Sequence, residues 1–126
     1  MSQAQEIWND IEKIHDQNPV ILNITNFVVT NSTANALLSL GARPIMTPSM
    51  QEVQELVPVC KALVINIGRL NESSVQLMYK ARVAAKENNV PVILDPVGAG
   101  TTNMRTSTSL RFLNEFKPMV VRGNAA

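Results

Sequence analysis

Short apolar segments rich in β-branched residues alternate with amphipathic helical segments along almost the whole chain. PVILNIT, KALVINIG, VPVILD and PMVV have the composition of buried strands, and RPIM is a shorter extended piece. A helical pattern separates each of these segments from the next. Strands that alternate with helices form βαβ units, whose crossovers produce parallel strands with helices on both faces. We therefore predict an α/β fold with a mostly parallel central sheet.

Several helix ends are marked by capping residues. Ser49 and Glu52 have the S-x-x-E spacing of a capping box. Asn71 is placed to cap the long helix that follows KALVINIG. Thr106 is predicted to cap a further helix that runs to about Phe116.

Composition excludes several classes of protein. The chain has 126 residues, 45% of them hydrophobic, which is enough for one globular domain. A net charge of +1 with interspersed signs argues against nucleic-acid binding, and no apolar run is long enough to span a bilayer. Cys60 is the only cysteine, so no internal disulfide can form, and the absence of a signal-peptide pattern predicts a cytoplasmic protein. We expect Cys60 to be a small core residue and His15 to be solvated.

Four of the predicted strands end in polar or glycine-rich sequence: NITN, INIG, LDPVGAG and VRGN. Carboxyl ends of parallel strands meet at one edge of a sheet, where ligands bind, so these ends predict a shared pocket. Asp95 would lie at its mouth, and Gly98 and Gly100 would let backbone N–H groups approach an anion. A carboxylate beside phosphates implies Mg²⁺, which offsets their repulsion.

Each of these features also has a plainer interpretation. Asp-Pro and Gly-Ala-Gly are equally typical of turns, and Arg122 could be a solvated arginine at a strand end. GAGTTN lacks the third glycine of the dinucleotide fingerprint, and no phosphate-binding G-x-x-x-x-G-K-[ST] loop occurs. Ser32 and Thr33 lie in a polar helical segment that suits either close packing or a ligand-facing surface.

Four colinear segments, NITNFVVTNSTANALLSLGARPIM, ALVINIG, PVILDPVGAGTT and VVRGNAA, together resemble the hydroxyethylthiazole kinase family of the ribokinase-like superfamily. The resemblance implies a three-layer α/β/α fold, with residues 1–126 as the N-terminal, substrate-binding portion of a single kinase domain. It also implies transfer of the ATP γ-phosphate to the alcohol of methyl-hydroxyethyl-thiazole in thiamine biosynthesis or salvage, with Mg²⁺. The resemblance further implies a homotrimer with the thiazole pocket between subunits.

The resemblance assigns roles to five residues. Asn26 would lie in the thiazole pocket and Met46 would contact the thiazole. Asp95 would lie near Mg²⁺ and the triphosphate, and Arg122 would bind ATP phosphates through its permanently charged guanidinium. Asn124 would belong to the ATP site as the first residue of the superfamily's N-x-x-E magnesium motif.

The same resemblance marks differences and omissions. The family usually has Thr in place of Arg69 and Phe in place of Ser32. Its G-x-G-C segment and adenine-binding region do not occur here, so we expect no catalytic residue within 1–126 and no activity from these residues alone. A different ribokinase-like vitamin kinase, acting on pyridoxal or hydroxymethylpyrimidine, is the alternative enzyme. A truncated ligand-binding or oligomerising module is the alternative outside enzymes.

Overall fold

The computed structural model describes residues 1–25 and 30–124. The helices are α1 (Gln3–Gln17), α2 (Thr30–Ser39), α3 (Met50–Leu56), α4 (Glu72–Glu87) and α5 (Asn103–Phe116), with a 3₁₀ turn at Val57–Val59. The strands are β1 (Val20–Ile24), β2 (Arg43–Met46), β3 (Ala62–Asn66), β4 (Val92–Asp95) and β5 (Val120–Val121). All the predicted strand segments therefore form strands.

The strands form one parallel sheet in the order β2-β1-β3-β4-β5. Two rows of buried side chains cross one face of it: Leu22, Leu63 and Val92, and beside them Ile24, Ile65 and Leu94. A parallel sheet buries both faces, so its strands are nearly continuous in apolar residues. This pattern confirms the predicted α/β fold.

Helices cover both faces of the sheet. The Tyr79 ring of α4 packs edge-on against Phe112 and Phe116 of α5, with centroids 5.4 and 5.1 Å away, and α3 packs against α4. These helices share the core with the two apolar rows. Helix α2 packs against β2. Together with Asn23 and Val64, which occupy the alternate positions of their strands, α2 borders a cavity on the other face of the sheet. The architecture is therefore three layers, α/β/α.

Cys60 is a core residue, as predicted. It is buried, belongs to the main apolar cluster, and its thiol donates to the Leu56 carbonyl oxygen at 3.1 Å. Burial raises the pKa of the Cys60 thiol, because the thiolate is poorly solvated there. A thiol held in its neutral form is a poor nucleophile, which agrees with a packing role.

The expectation that His15 is solvated also agrees with the structure. The His15 side chain is 78% exposed and lies near the carboxylate of Asp16. None of the helices within residues 1–25 and 30–124 has the length and apolar character required to cross a bilayer.

Two predicted helix starts need different corrections. Ser49 accepts from the Glu52 N–H as a cap should, but the Glu52 carboxylate accepts the hydroxyl proton of Thr47 instead of reaching back to Ser49. The predicted cap at Thr106 is wrong, because α5 begins one turn earlier and Thr102 accepts from the Arg105 N–H.

Replacing the observed cap of α5 should lower stability. We expect Thr102→Ala to reduce the free energy of unfolding by about 1 kcal/mol, because an N–H of the first turn loses its acceptor, whereas Thr102→Asn retains one. Urea unfolding measures both. Ser107→Ala, at an exposed position of the same helix, is the control. Equal stability of Thr102→Ala and Thr102→Asn would contradict the assignment.

Candidate functional site

Two cavities open at the carboxyl-terminal edge of the sheet. The first has a volume of about 300 Å³ and lies beside the start of α4. Its deepest walls are apolar, since Ile24, Leu77 and Met78 are almost fully buried, whereas Arg69 and Asn71 at its rim are exposed. Such a cavity suits a small, largely apolar molecule that has one polar end.

The second cavity, of about 520 Å³, lies between α2 and the opposite face of the sheet. Its sheet side is formed by Asn23, Val64, Asn66, Asp95 and Arg122, and its helix side by Ser32, Thr33, Ala36 and Leu37. Four of the five sheet residues are polar or charged. One residue from each of the four predicted strand ends therefore lines this cavity.

Asp95 is the centre of the polar contacts in the second cavity. Its Oδ2 accepts from Asn66 Nδ2 at 3.3 Å and lies 3.5 Å from Arg122 Nη2. Asn66 Oδ1 in turn accepts from the Gly68 N–H at 2.8 Å. The Asp95 side chain is only 16% exposed, whereas that of Arg122 is 57% exposed. The carboxylate is thus held in place, while the guanidinium keeps N–H groups free to meet an anion from solvent.

The glycine loop after β4 is a closed turn. The Ala99 N–H donates to the Pro96 carbonyl oxygen at 3.1 Å, and the Gly100 N–H donates to Thr106 Oγ1 at 2.8 Å. Gly98 has φ of +78°, a conformation that favours glycine. The N–H groups of Ala99 and Gly100 are thus already hydrogen-bonded within the protein, which favours the turn interpretation of this loop over an anion-binding cradle.

Arg105 is a residue of this edge that sequence reasoning missed. Its guanidinium donates to the carbonyl oxygens of Ile67 at 2.9 Å, Gly68 at 3.0 Å and Val97 at 3.1 Å. One signal was available. A cation in the first turn of a helix opposes the helix dipole, so an arginine there implies compensating contacts. The predicted cap at Thr106 places Arg105 outside the helix and so conceals this signal.

Comparisons with known proteins identify the family. A model of the hydroxyethylthiazole kinase family matches residues 11–126. The chain belongs to this family. It is 46% identical to hydroxyethylthiazole kinase of Brachyspira hyodysenteriae and 48% identical to that of Syntrophus aciditrophicus, in each case over 97% of this chain. The solved structure of the hydroxyethylthiazole kinase protein from Pyrococcus horikoshii OT3 superposes with a TM-score of 0.91 and 43% identity over 96% of this chain.

The match covers part of each relative. The chain spans 46% of the Brachyspira protein, 45% of the Syntrophus protein and 47% of the Pyrococcus chain. It therefore represents about half the length of the hydroxyethylthiazole kinases it resembles.

The five residues assigned by family resemblance lie in different places. Met46 lines the first cavity, and Asp95 and Arg122 lie together in the second. Asn124 is exposed just beyond β5, and Asn26 lies outside the described residues. The two residues that depart from the family pattern lie at different cavities: Arg69 lines the first and Ser32 lines the second. The roles of these residues remain predictions.

The donor set at this edge restricts how Mg²⁺ can bind. Within the described parts of the chain, no group of three or more His, Cys, Asp or Glu side chains is placed to hold a metal ion. Asp95 supplies one carboxylate. Mg²⁺ is commonly held by one or two carboxylates together with substrate phosphates and water. Asp95 therefore fits an ion that is bound mainly by phosphate oxygens.

Proposed function

We propose that the protein containing this chain transfers the γ-phosphate of ATP to the hydroxyethyl alcohol of methyl-hydroxyethyl-thiazole, in thiamine biosynthesis or salvage. Residues 1–126 form the N-terminal portion of its single ribokinase-like domain. Membership of the hydroxyethylthiazole kinase family carries this proposal. The arrangement of a small apolar-walled cavity and a charged cavity at one sheet edge supports it.

The charged cavity suits the phosphate side of the reaction. The exposed guanidinium of Arg122 binds phosphate oxygens of ATP, and Asn124, beyond β5, contributes to the same site. Asp95 would hold the Mg²⁺ that accompanies the triphosphate. Bound Mg²⁺ would neutralise phosphate charge.

The first cavity suits the alcohol substrate. Met46 and the buried apolar side chains contact the thiazole ring. Asn26, which lies outside the described residues, is proposed as a further thiazole contact on family resemblance alone. The exposed rim of this cavity leaves room for a second subunit to complete it. We also propose that the protein is cytoplasmic and, as the family resemblance implies, a homotrimer with the thiazole pocket between subunits.

Substrate preference tests the proposal. The full-length protein is assayed for ADP release with methyl-hydroxyethyl-thiazole, pyridoxal and hydroxymethylpyrimidine, with ATP alone as control. We expect kcat/KM to be at least about 10-fold higher for the thiazole, since pocket contacts discriminate by about that factor or more. Preference for either other alcohol would assign a different vitamin kinase. Thiazole binding without turnover would favour a non-catalytic module.

A further inference from the structure

Arg105 of α5 joins the loops that follow two neighbouring strands. Its Nη1 donates to Ile67 after β3 and to Val97 after β4, and its Nη2 donates to Gly68. One planar guanidinium thus fixes the position of both loops at the ligand-binding edge of the sheet.

The local structure is built around this side chain. A Cβ added to Gly98 would lie 2.8 Å from Arg105 Cδ, so a side chain at position 98 would displace either Arg105 or the loop. Arg105 is in the first turn of α5, where the helix dipole disfavours a cation. The carbonyl oxygens that it meets compensate for this unfavourable position, because they direct negative partial charge at the guanidinium.

Arg105 is connected to Asp95 through each of its three acceptor residues. Ile67, whose carbonyl accepts from Arg105, donates its N–H to the Asp95 carbonyl oxygen at 3.2 Å. Gly68, whose carbonyl accepts from Arg105, donates its N–H to Asn66, and Asn66 donates to the Asp95 carboxylate. Val97, the other loop's acceptor, donates its N–H to the Asp95 carbonyl oxygen at 2.9 Å. A displacement of Arg105 would therefore shift both loops and, through them, change the position of Asp95.

The hydrogen bond from Arg105 to Gly68 also links Arg105 to the first cavity. Gly68 is followed directly by Arg69, which lies at the rim of that cavity, whereas Asn66 borders the second. The segment from Asn66 to Arg69 thus separates the two cavities, and Arg105 holds it at its centre.

We propose that Arg105 is a positioning residue that fixes the first cavity relative to Asp95 and Arg122. The inference rests on the proposed function, in which the alcohol and the phosphate occupy these two cavities. Phosphoryl transfer depends largely on alignment of the attacking oxygen with the phosphate. Each cavity keeps its own lining when Arg105 is replaced, but their relative placement is lost.

This role predicts a separation between turnover and binding. In the full-length protein we expect Arg105→Met to lower kcat at least about 10-fold, since small misplacements cost this much or more. The KM values for ATP and thiazole should change less than about 3-fold, the pattern for a contribution made in the transition state alone. Arg105→Lys, which keeps the charge but has a single donor head, should give an intermediate kcat. Arg111→Met, on the same helix with its guanidinium over the Tyr79 ring, is the matched control.

Hydrogen exchange provides a second readout that does not require turnover. We expect the amides of residues 66–71 and 97–101 to exchange at least about 10-fold faster in Arg105→Met, with those in the middle of α4 unchanged, because only the loops lose an anchor.

Unchanged kcat, or a loss of kcat accounted for by the unfolded fraction, would overturn the proposal. If the wild-type protein phosphorylates none of the three alcohols, the proposed function fails by itself. Unchanged loop exchange would then refute the positioning role separately.

Discussion

Asp95→Asn and Arg122→Ala are each expected to reduce kcat of the full-length protein at least about 10²-fold, the usual effect of losing one preorganised charge contact. Asp95 is held by Asn66 at 3.3 Å, and Arg122 faces it at 3.5 Å with most of its side chain exposed. Each variant removes one charge from the proposed phosphate site while leaving intact the strand that contains Asp95 or precedes Arg122.

Stability should change little in these two variants. A partly exposed ion pair contributes about 0–1 kcal/mol, so the melting temperature should shift by only a few degrees. Asp16→Asn, on the exposed surface of α1, is the control for the lost carboxylate. Arg43→Ala, at the amino end of β2, is the control for the lost guanidinium. Wild-type kcat combined with a large fall in melting temperature would show that Asp95 and Arg122 are structural.

The largest loss of stability is expected from Phe112→Ala. Phe112 is fully buried, stacks on Phe116 at 4.1 Å between centroids and meets the edge of Tyr79. Its removal leaves a cavity between α4 and α5, and we expect the free energy of unfolding to fall by about 3–5 kcal/mol.

Urea unfolding measures this loss. Leu110→Ala on the same helix is the control, because Leu110 is 61% exposed and its truncation leaves no buried cavity. A loss below about 1 kcal/mol for Phe112→Ala would mean that the surrounding side chains close the space, contrary to a rigid aromatic cluster.

The order of strands and helices could be predicted from the sequence because the patterns that indicate them are local. A buried parallel strand requires a run of apolar residues within a few positions, and β1, β3 and β4 each have one. Parallel pairing then brings their carboxyl ends to one edge whatever the side chains are. The convergence of Asn66, Asp95 and Arg122 follows from that rule, and the structure places all three in one cavity.

The sequence does not show which of two similar residues makes a given hydrogen bond. Thr102 and Thr106 are both able to cap α5, and the sequence around them favours neither strongly. In the fold, Thr106 accepts from Gly100 while Thr102 accepts from Arg105, so the loop conformation decides which hydroxyl is free to cap the helix. In the same way, Thr47 replaces Ser49 as the partner of the Glu52 carboxylate.

Local periodicity, strand composition and family motifs thus determine the α/β/α fold, the sheet edge that carries the site and the family to which the chain belongs. Only the tertiary structure shows that this edge is divided into two cavities on opposite faces. Only the tertiary structure likewise shows that Arg105 lies between them. The acceptors of Arg105 are backbone carbonyls, two of them 37 and 38 residues away. Every residue has a carbonyl, so no sequence pattern marks these ones. Their selection depends on where the strands end in space.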